Sequence, residues 1–112
     1  MLLISQQDFQ NFIEKNKLFE RTYQLMCKSL KHWYEDDSQH FIEDMWADLD
    51  TVMKTYHFEN EGVSISKNYS YEPPLDYISC YIRVYDAEWT YCMEYTAYFD
   101  EDLKEFDDKI AP

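Results

Sequence analysis

The apolar residues of this chain change their period once, and that change constrains the fold more than any other feature of the sequence. Up to about residue 58 they recur every three or four positions, which is typical of amphipathic helices. After Gly62, which is the only glycine, they alternate with polar residues, which is typical of strands with one buried face. Helices that precede strands in this way predict an α+β fold.

The first part of the chain predicts three helices. Ser5 begins a capping-box pattern at the start of the first helix, and the second helix is predicted from about residue 18 to residue 34. The segment Glu35–Ser38, "EDDS", breaks that helix and supplies N-caps for a third. The apolar side of the third helix comprises Phe41, Met45, Leu49, Val52, Met53 and Tyr56. The segment Glu59–Gly62, "ENEG", is predicted to end the helical part.

The second part predicts a three-stranded antiparallel meander within residues 62–99. A turn at Asp86–Ala87 would pair Val84 with Trp89 and place the aliphatic residues of the last two strands on one face. A register slip of one residue would move them beside polar residues, so the hydrophobic pattern rejects it. We expect the three helices to pack on the aliphatic face, and residues 100–112 to form a short acidic helix or tail.

The length of 112 residues predicts a single domain, 1–112, with its helical part at 1–58. The first residues, "MLLISQQDF", lack the basic and apolar regions of a signal peptide, and no apolar run reaches membrane-spanning length. The three cysteines are an odd number without CxxC spacing, so we expect reduced thiols. Together these features predict a cytoplasmic protein.

Negative charge is concentrated in the later part of the chain. The formal charge is −13: residues 1–34 hold five basic and three acidic residues, for +2, and residues 35–112 hold five basic and twenty acidic ones, for −15. Along a domain of this size, the charge density is within roughly a factor of two of that of B-DNA. Direct binding to nucleic acid or to an anionic membrane is therefore disfavoured, and a basic protein partner is favoured.

Two sets of residues are predicted to contact that partner. The polar face of the sheet is rich in tyrosine and continues into the acidic residues after the last strand, a composition that suits protein interfaces. The first set comprises Tyr77, Tyr81, Tyr85, Glu88, Glu94, Tyr98, Asp100, Glu101, Asp102, Glu105, Asp107 and Asp108. A secondary acidic face comprises Glu35, Asp36, Asp37, Asp44 and Asp48. The alternative for both sets is an ordinary solvated surface.

The sequence contains no clear catalytic constellation. A single glycine excludes the glycine-rich loops that bind phosphates, and there is no Gly-x-Ser-x-Gly motif. His40, Asp44 and Asp48 recur every four residues and would share one side of a helix, which indicates a solvated face rather than a metal site. Of the thiols, only Cys92 is predicted to be exposed. We expect no metal, no cofactor and no enzymatic activity.

The size of the chain, its acidity, its sparse glycine and its lack of a catalytic set resemble those of small phage-encoded anti-defence proteins, including many anti-CRISPR inhibitors. The resemblance covers the whole chain as general character and rests on no motif, so it assigns no role to any residue. Such proteins share no common fold. The resemblance implies a non-catalytic inhibitor that mimics nucleic-acid phosphates and binds a nuclease or CRISPR-type effector in the cytoplasm of a bacterial host.

The sequence leaves other functions open. An acidic immunity protein would neutralise a cognate basic toxin, with tyrosines and carboxylates such as Tyr81 and Glu88 as its contacts. A small metal- or thiol-dependent hydrolase would be built around His40 or Cys92. An acidic adaptor would use its charge only for solubility. A homodimer of the chain is a further arrangement that the sequence permits.

Overall fold

The structure, a computed structural model, describes residues 5–112 and consists of four helices followed by four strands. The helices are α1 (Gln6–Lys15), α2 (Leu18–Asp36), α3 (Ser38–Met45) and α4 (Leu49–Thr55), and the strands are β1 (His57–Asn68), β2 (Leu75–Tyr85), β3 (Tyr91–Phe99) and β4 (Glu105–Ala111). Each strand pairs antiparallel with the next along the chain. The α+β class, with N-terminal helices before an antiparallel meander, is confirmed. Residues 1–4, which begin the segment assessed for a signal peptide, lie outside the described residues.

The predicted third helix is in fact two helices, α3 and α4, because the chain breaks at Trp46. Trp46 takes a left-handed backbone conformation with φ of 66°, and its N–H donates to the carbonyl of Ile42 at 2.7 Å. The Asp48 side chain then accepts a hydrogen bond from the backbone N–H of Thr51 at 2.8 Å and caps α4. Such a cap competes with continuation of the preceding helix. The prediction of one continuous helix was wrong, although its apolar residues still lie in or against the core.

Strand β1 begins at His57, so the segment Glu59–Gly62 lies inside a strand and does not separate helices from sheet as predicted. The pairing of β1 with β2 shifts between Asn60 and Gly62, which marks a β-bulge. A side chain at position 62 would place its Cβ 2.7 Å from Cε2 of Tyr81. The only glycine therefore permits a close approach of the Tyr81 ring rather than a turn.

The register between β2 and β3 differs from the predicted one by four residues. Val84 lies opposite Met93 rather than Trp89, because the connection is a five-residue loop, 86–90, instead of a two-residue turn, and because a β-bulge between Val84 and Tyr85 adds one residue. Side chains alternate between faces with a period of two, so this even shift leaves residues 93–99 on their predicted faces. Tyr91, beyond the bulge, lies opposite Tyr85 on the face away from the helices, with the two ring centroids 6.1 Å apart. The buried residues of β3 on the helix-facing side are Met93, Tyr95, Ala97 and Phe99.

The loops before β3 and β4 have the same design. Each has five residues, begins with aspartate and has a left-handed fourth residue, Trp89 with φ of 66° and Leu103 with φ of 60°. The Asp86 side chain accepts hydrogen bonds from the backbone N–H groups two and four residues later, at 2.8 and 2.9 Å. Asp100 does the same at 2.9 and 3.0 Å. In both loops the aspartate side chain accepts hydrogen bonds from loop N–H groups that have no partner in a neighbouring strand.

The predicted acidic helix or tail at 100–112 was wrong, since this segment forms a loop and strand β4, which pairs with β3. Asp107 lies opposite Tyr98, and Ile110 lies opposite Tyr95. The sequence did not predict this strand because its many carboxylates are unusual in strands. Charged residues are depleted there except at sheet edges, where they discourage pairing with other chains. β4 is such an edge strand, and the sheet has four strands rather than the predicted three.

The core lies between the helices and one face of the sheet. Its buried apolar residues include Leu18, Met26, Leu30, Phe41, Val52, Ile82, Val84, Tyr95 and Phe99. Within residues 5–112 the only buried polar residues are Thr22 and Thr96, and Thr22 donates to the carbonyl of Leu18 at 2.7 Å. All charged side chains of this part of the chain therefore reach the surface.

The helices cover only part of the sheet. Ile65 lies on the helix-facing side but is 53% exposed, which marks a portion of the β1–β2 hairpin that no helix covers. The Cα radius of gyration is accordingly 15.6 Å, with extents of 44 × 32 × 21 Å, whereas a compact domain of this length has a radius of about 13 Å. No helix in residues 5–112 is both long and apolar enough to cross a membrane.

Candidate protein-binding surface

The face of the sheet that points away from the helices, here called the open face, carries most of the predicted sheet residues. Alternate residues of β2 are buried against the helices, and the tyrosines between them are half-buried. The predicted residues on the open face of β2 and β3 are Tyr77, Tyr81, Tyr85, Glu94 and Tyr98. Glu88 lies in the adjoining loop, 86–90, and is exposed. The structure thus brings the predicted tyrosines and Glu94 onto one surface.

Three aromatic rings meet on the open face where β2, β3 and β4 lie side by side. The ring centroids of Tyr77, Tyr98 and Phe106 are 5.9, 6.3 and 6.4 Å apart. Burial raises the pKa of Tyr98, and the nearby Tyr77 and Asp107 raise it further. The phenol therefore stays neutral, and the three rings form an apolar patch beside a carboxylate. The sequence did not identify Phe106, because its segment was not predicted to be a strand.

A second aromatic group lies at the β2–β3 loop. The Trp89 ring stacks on the His57 ring with centroids 3.7 Å apart and planes inclined by 9°. Tyr85 lies 5.8 Å from Trp89 and 6.1 Å from Tyr91. Trp89 is nevertheless 55% exposed, and its left-handed backbone is a conformation that costs a non-glycine residue roughly 1–2 kcal/mol. The sequence pattern put Trp89 among the residues predicted to face the helices. Nothing in the sequence indicates that its ring is exposed and fixed.

Some of the predicted residues on the open face already have partners within the fold. Arg83 Nε lies 3.2 Å from Glu94 Oε2, and its guanidinium also lies 3.5 Å from Glu61. The hydrogen bond to Glu94 is the main reason that the pKa of Arg83 is raised. The Tyr81 hydroxyl lies 3.0 Å from Oγ of Ser64. Glu94 and Tyr81 therefore help to order the open face, and they can also contact a partner there.

The structure separates the six carboxylates that were predicted to act together after the last strand. Asp108 points to the helix side, where its Oδ2 accepts hydrogen bonds from Ser29 at 2.5 Å and Tyr95 at 2.9 Å. Asp100 closes its loop through its own side chain. Burial raises the pKa of Glu105, and the neighbouring Asp108 and Asp107 raise it further. Of the six, Glu101, Asp102, Glu105 and Asp107 are exposed.

The secondary acidic face is fully exposed and is larger than predicted. Residues 35–50 contain seven carboxylates and no lysine or arginine. This helix-side acidic surface comprises Glu35, Asp36, Asp37, Glu43, Asp44, Asp48 and Asp50, all of them exposed. Asp37 and Asp48 also cap helices, because each accepts a backbone N–H three residues later, at 3.1 and 2.8 Å. Glu43 and Asp50 were not predicted from the sequence, and neither was Trp46. Trp46 does not belong to the apolar side of the predicted helix, and that position could have identified it as an exposed ring.

The residues considered for metal or thiol chemistry do not assemble into a site. His40 Nε2 lies 3.1 Å from Asp44 Oδ2, but Asp48 begins a separate helix, so the spacing of four ends there. In the part of the chain that the structure describes, no group of three or more histidine, cysteine, aspartate or glutamate side chains could share an ion. Burial raises the pKa of Cys27 and Cys92, and that of Cys80 to about 11. A nucleophilic thiol needs the opposite shift.

No family model, no curated protein and no solved structure matches the chain. A fold by itself does not define a function, and function is argued from the chemistry of particular surfaces. The open face and the helix-side acidic surface are therefore the basis of the proposal that follows.

Proposed function

We propose that this protein is a non-catalytic inhibitor that binds a basic, nucleic-acid-binding protein and presents carboxylates in place of nucleic-acid phosphates. The observation that carries the proposal is the charge density of the folded molecule. None of the 23 carboxylates is buried, and 23 over a length of 44 Å is about one per 1.9 Å. B-DNA carries one charge per ~1.7 Å. The net charge of −13 is about one per 3.4 Å, half the density of the duplex.

The carboxylates lie on both sides of the molecule, which favours a partner that encloses it. Asp107 and Glu59 lie on the sheet side, and Glu43 and Asp44 lie on the helix side. A flat basic patch would contact only one of these surfaces. The basic channel of a nuclease or of a CRISPR-type effector would contact both, and it normally holds nucleic acid through a positively charged lining.

Aromatic rings on the open face would supply contact area that carboxylates alone lack. Interface residues that contribute most to affinity are enriched in tryptophan and tyrosine, which are partly apolar and have few rotatable bonds. Trp89 is held by its stack on His57, and Tyr98 by its contacts with Tyr77 and Phe106. Rings that are fixed before binding lose little conformational entropy in the complex.

An immunity protein that neutralises a basic toxin is a second candidate, and the exposed Trp89 favours it. A preformed aromatic anchor suits a site beside an active centre as well as one within it. The two functions differ in one respect, because a mimic competes with nucleic acid for its target. An immunity protein that binds beside the active site leaves nucleic-acid binding intact.

The experiment is affinity capture from a lysate of the source organism, with and without nuclease treatment, followed by competition. We expect the main partner to be a basic nucleic-acid-binding protein that is retained after nuclease treatment. Duplex DNA or RNA should then displace this protein from its partner in a concentration-dependent way. Loss of the partner on nuclease treatment, or binding that nucleic acid does not affect, would argue against mimicry.

A further inference from the structure

A groove lies on the helix side of the molecule, between α3 and the ends of β3 and β4. It encloses about 640 Å³, and its apolar lining comprises Trp33, Met45, Trp46, Met93 and Ile110. Met45 and Met93 are buried and form its floor, whereas Trp46 is 57% exposed at its edge. The groove lies on the opposite side of the sheet from the open face, so none of the tyrosines discussed above lines it.

The rim of the groove is acidic. Glu43 and Asp44 line it and are both exposed, and His40 lies between them and the aromatic Trp33. The Trp33 and His40 rings are 5.9 Å apart with planes at 84°, and His40 Nε2 lies 3.1 Å from Asp44 Oδ2. None of the described residues that line the groove is lysine or arginine. An apolar groove with carboxylates and no lysine or arginine at its rim is complementary to a cationic group on an apolar stem.

We propose that this groove binds an arginine side chain of the basic partner, a step that rests on the proposed function and names one of its contacts. The methylene stem of arginine would lie along the methionine floor, and the guanidinium would stack on an indole. Its planar fork also matches the two oxygens of a carboxylate such as Asp44. The ammonium of lysine is compact and strongly hydrated, and it neither stacks on an indole nor makes a planar two-point contact with a carboxylate. The groove should therefore prefer arginine.

Charge argues against the other occupants of such a groove. A second copy of this chain also carries a net charge of −13, so its carboxylates would repel those at the rim. Within the fold Asp44 contacts His40 and Glu43 accepts a hydrogen bond from Gln39; a neutral apolar ligand would add no further donor and would remove water from both carboxylates. A cationic side chain satisfies both the lining and the rim.

The backbone of Trp46 gives a second reason to assign the groove to binding. Trp46 follows α3 in a left-handed conformation, at the position where helices usually have glycine. A bulky residue there is strained, and strain of this kind is concentrated at functional sites. Here it holds an indole at the edge of the groove. Glycine at this position would relieve the strain and remove the ring, so the variant Trp46→Gly is expected to fold.

The test uses two capped pentapeptides, Gly-Arg-Gly-Arg-Gly and Gly-Lys-Gly-Lys-Gly, titrated into ¹⁵N-labelled protein at physiological salt. The chain has three tryptophans, and so three indole N–H signals report on its surfaces. We expect the arginine peptide to shift the signals of Trp33 and Trp46 and to leave that of Trp89 unchanged. Its affinity should exceed that of the lysine peptide by about tenfold, the effect of one cation–π contact at a partly desolvated site.

Two pairs of variants separate the groove from general electrostatic attraction. Trp46→Gly should weaken binding of the arginine peptide about tenfold, and Tyr69→Ala, which removes an exposed ring from the turn after β1, should not. Asp44→Asn should weaken it about threefold, and Glu14→Gln, which removes the same charge from the exposed side of α1, should not. Equal effects within either pair, or equal shifts of all three indoles with both peptides, would overturn the proposal.

The peptide titration and the competition with nucleic acid can fail independently. If the groove shows no preference for arginine while nucleic acid still competes with the captured partner, the groove proposal fails and the inhibitor proposal stands. If the groove binds arginine as expected but nucleic acid does not displace the partner, the mimicry proposal fails. The arginine site then belongs to a protein that binds its basic partner in another way.

Discussion

The variant Gly62→Ala is expected to destabilise this protein, although it adds only one methyl group to a strand. The new Cβ would lie 2.7 Å from Cε2 of Tyr81 and 2.9 Å from its Cζ and Oη. Carbon atoms in contact are normally about 3.5–4.0 Å apart, so the ring would have to move by roughly 1 Å. The Tyr81 hydroxyl lies 3.0 Å from Oγ of Ser64, and a movement of that size would break this hydrogen bond.

The size of the effect follows from two opposing contributions. Overpacking with displacement of a side chain costs about 1–3 kcal/mol. Alanine also restricts the unfolded chain, which stabilises by about 0.4–1 kcal/mol where the backbone conformation suits it, and Gly62 has no positive φ. We expect a net loss of roughly 1–2 kcal/mol in urea denaturation, and a melting temperature lower by roughly 4–8 °C.

A double-mutant cycle with Tyr81→Ala tests the cause. Without the ring there is nothing for the new methyl group to meet, so Gly62→Ala should then be neutral or stabilising by about 0.4–1 kcal/mol. Ser64→Ala measures the hydrogen bond separately and should cost about 0.5–1.5 kcal/mol. If Gly62→Ala cost the same in the presence and absence of the Tyr81 ring, the assignment of this glycine to a close approach would be refuted.

Three further outcomes are expected. Asp100→Ala should lower the free energy of unfolding by about 1–2 kcal/mol, because two loop N–H groups lose their acceptor. The exposed control Asp102→Ala should stay within about 0.5 kcal/mol of the parent, and equal losses for the two would contradict the loop design. The triple variant Glu101→Gln, Asp102→Asn, Asp107→Asn should associate with the basic partner more slowly and with a flatter dependence on salt in stopped-flow experiments; an unchanged salt slope would mean that this charge serves solubility alone. Burial and neighbouring carboxylates raise the pKa of Glu105 in the folded state above its value in the unfolded chain. Ionisation of Glu105 therefore destabilises the fold as the pH rises through and above these two pKa values. Glu105→Gln should therefore raise the melting temperature at about pH 7 and leave it unchanged near pH 3, where the parent residue is protonated in both states; a lower melting temperature at neutral pH would contradict this assignment.

The sequence alone determined which side of the sheet each residue of β2 occupies. Alternation with a period of two puts Ile82 and Val84 on one face and Tyr81 and Tyr85 on the other, whichever even register the strands adopt. The actual register depends on the bulge between Val84 and Tyr85 and on the loop 86–90, which is held by hydrogen bonds to the Asp86 side chain and contains a left-handed tryptophan. No local pattern specifies such a conformation for a bulky residue, because its energy is unfavourable unless the rest of the structure holds it.

The sequence also determined how much negative charge the protein carries, and only the tertiary structure decided which carboxylates are available at its surface. Asp107 and Asp108 are neighbours in sequence, yet β4 turns one toward the open face and the other toward the helices. Asp108 there accepts a hydrogen bond from Ser29, which lies 79 residues earlier in the chain. Net charge is a sum over residues and needs no fold. Whether a carboxylate binds within the protein or faces a partner depends on donors that distant segments bring to it.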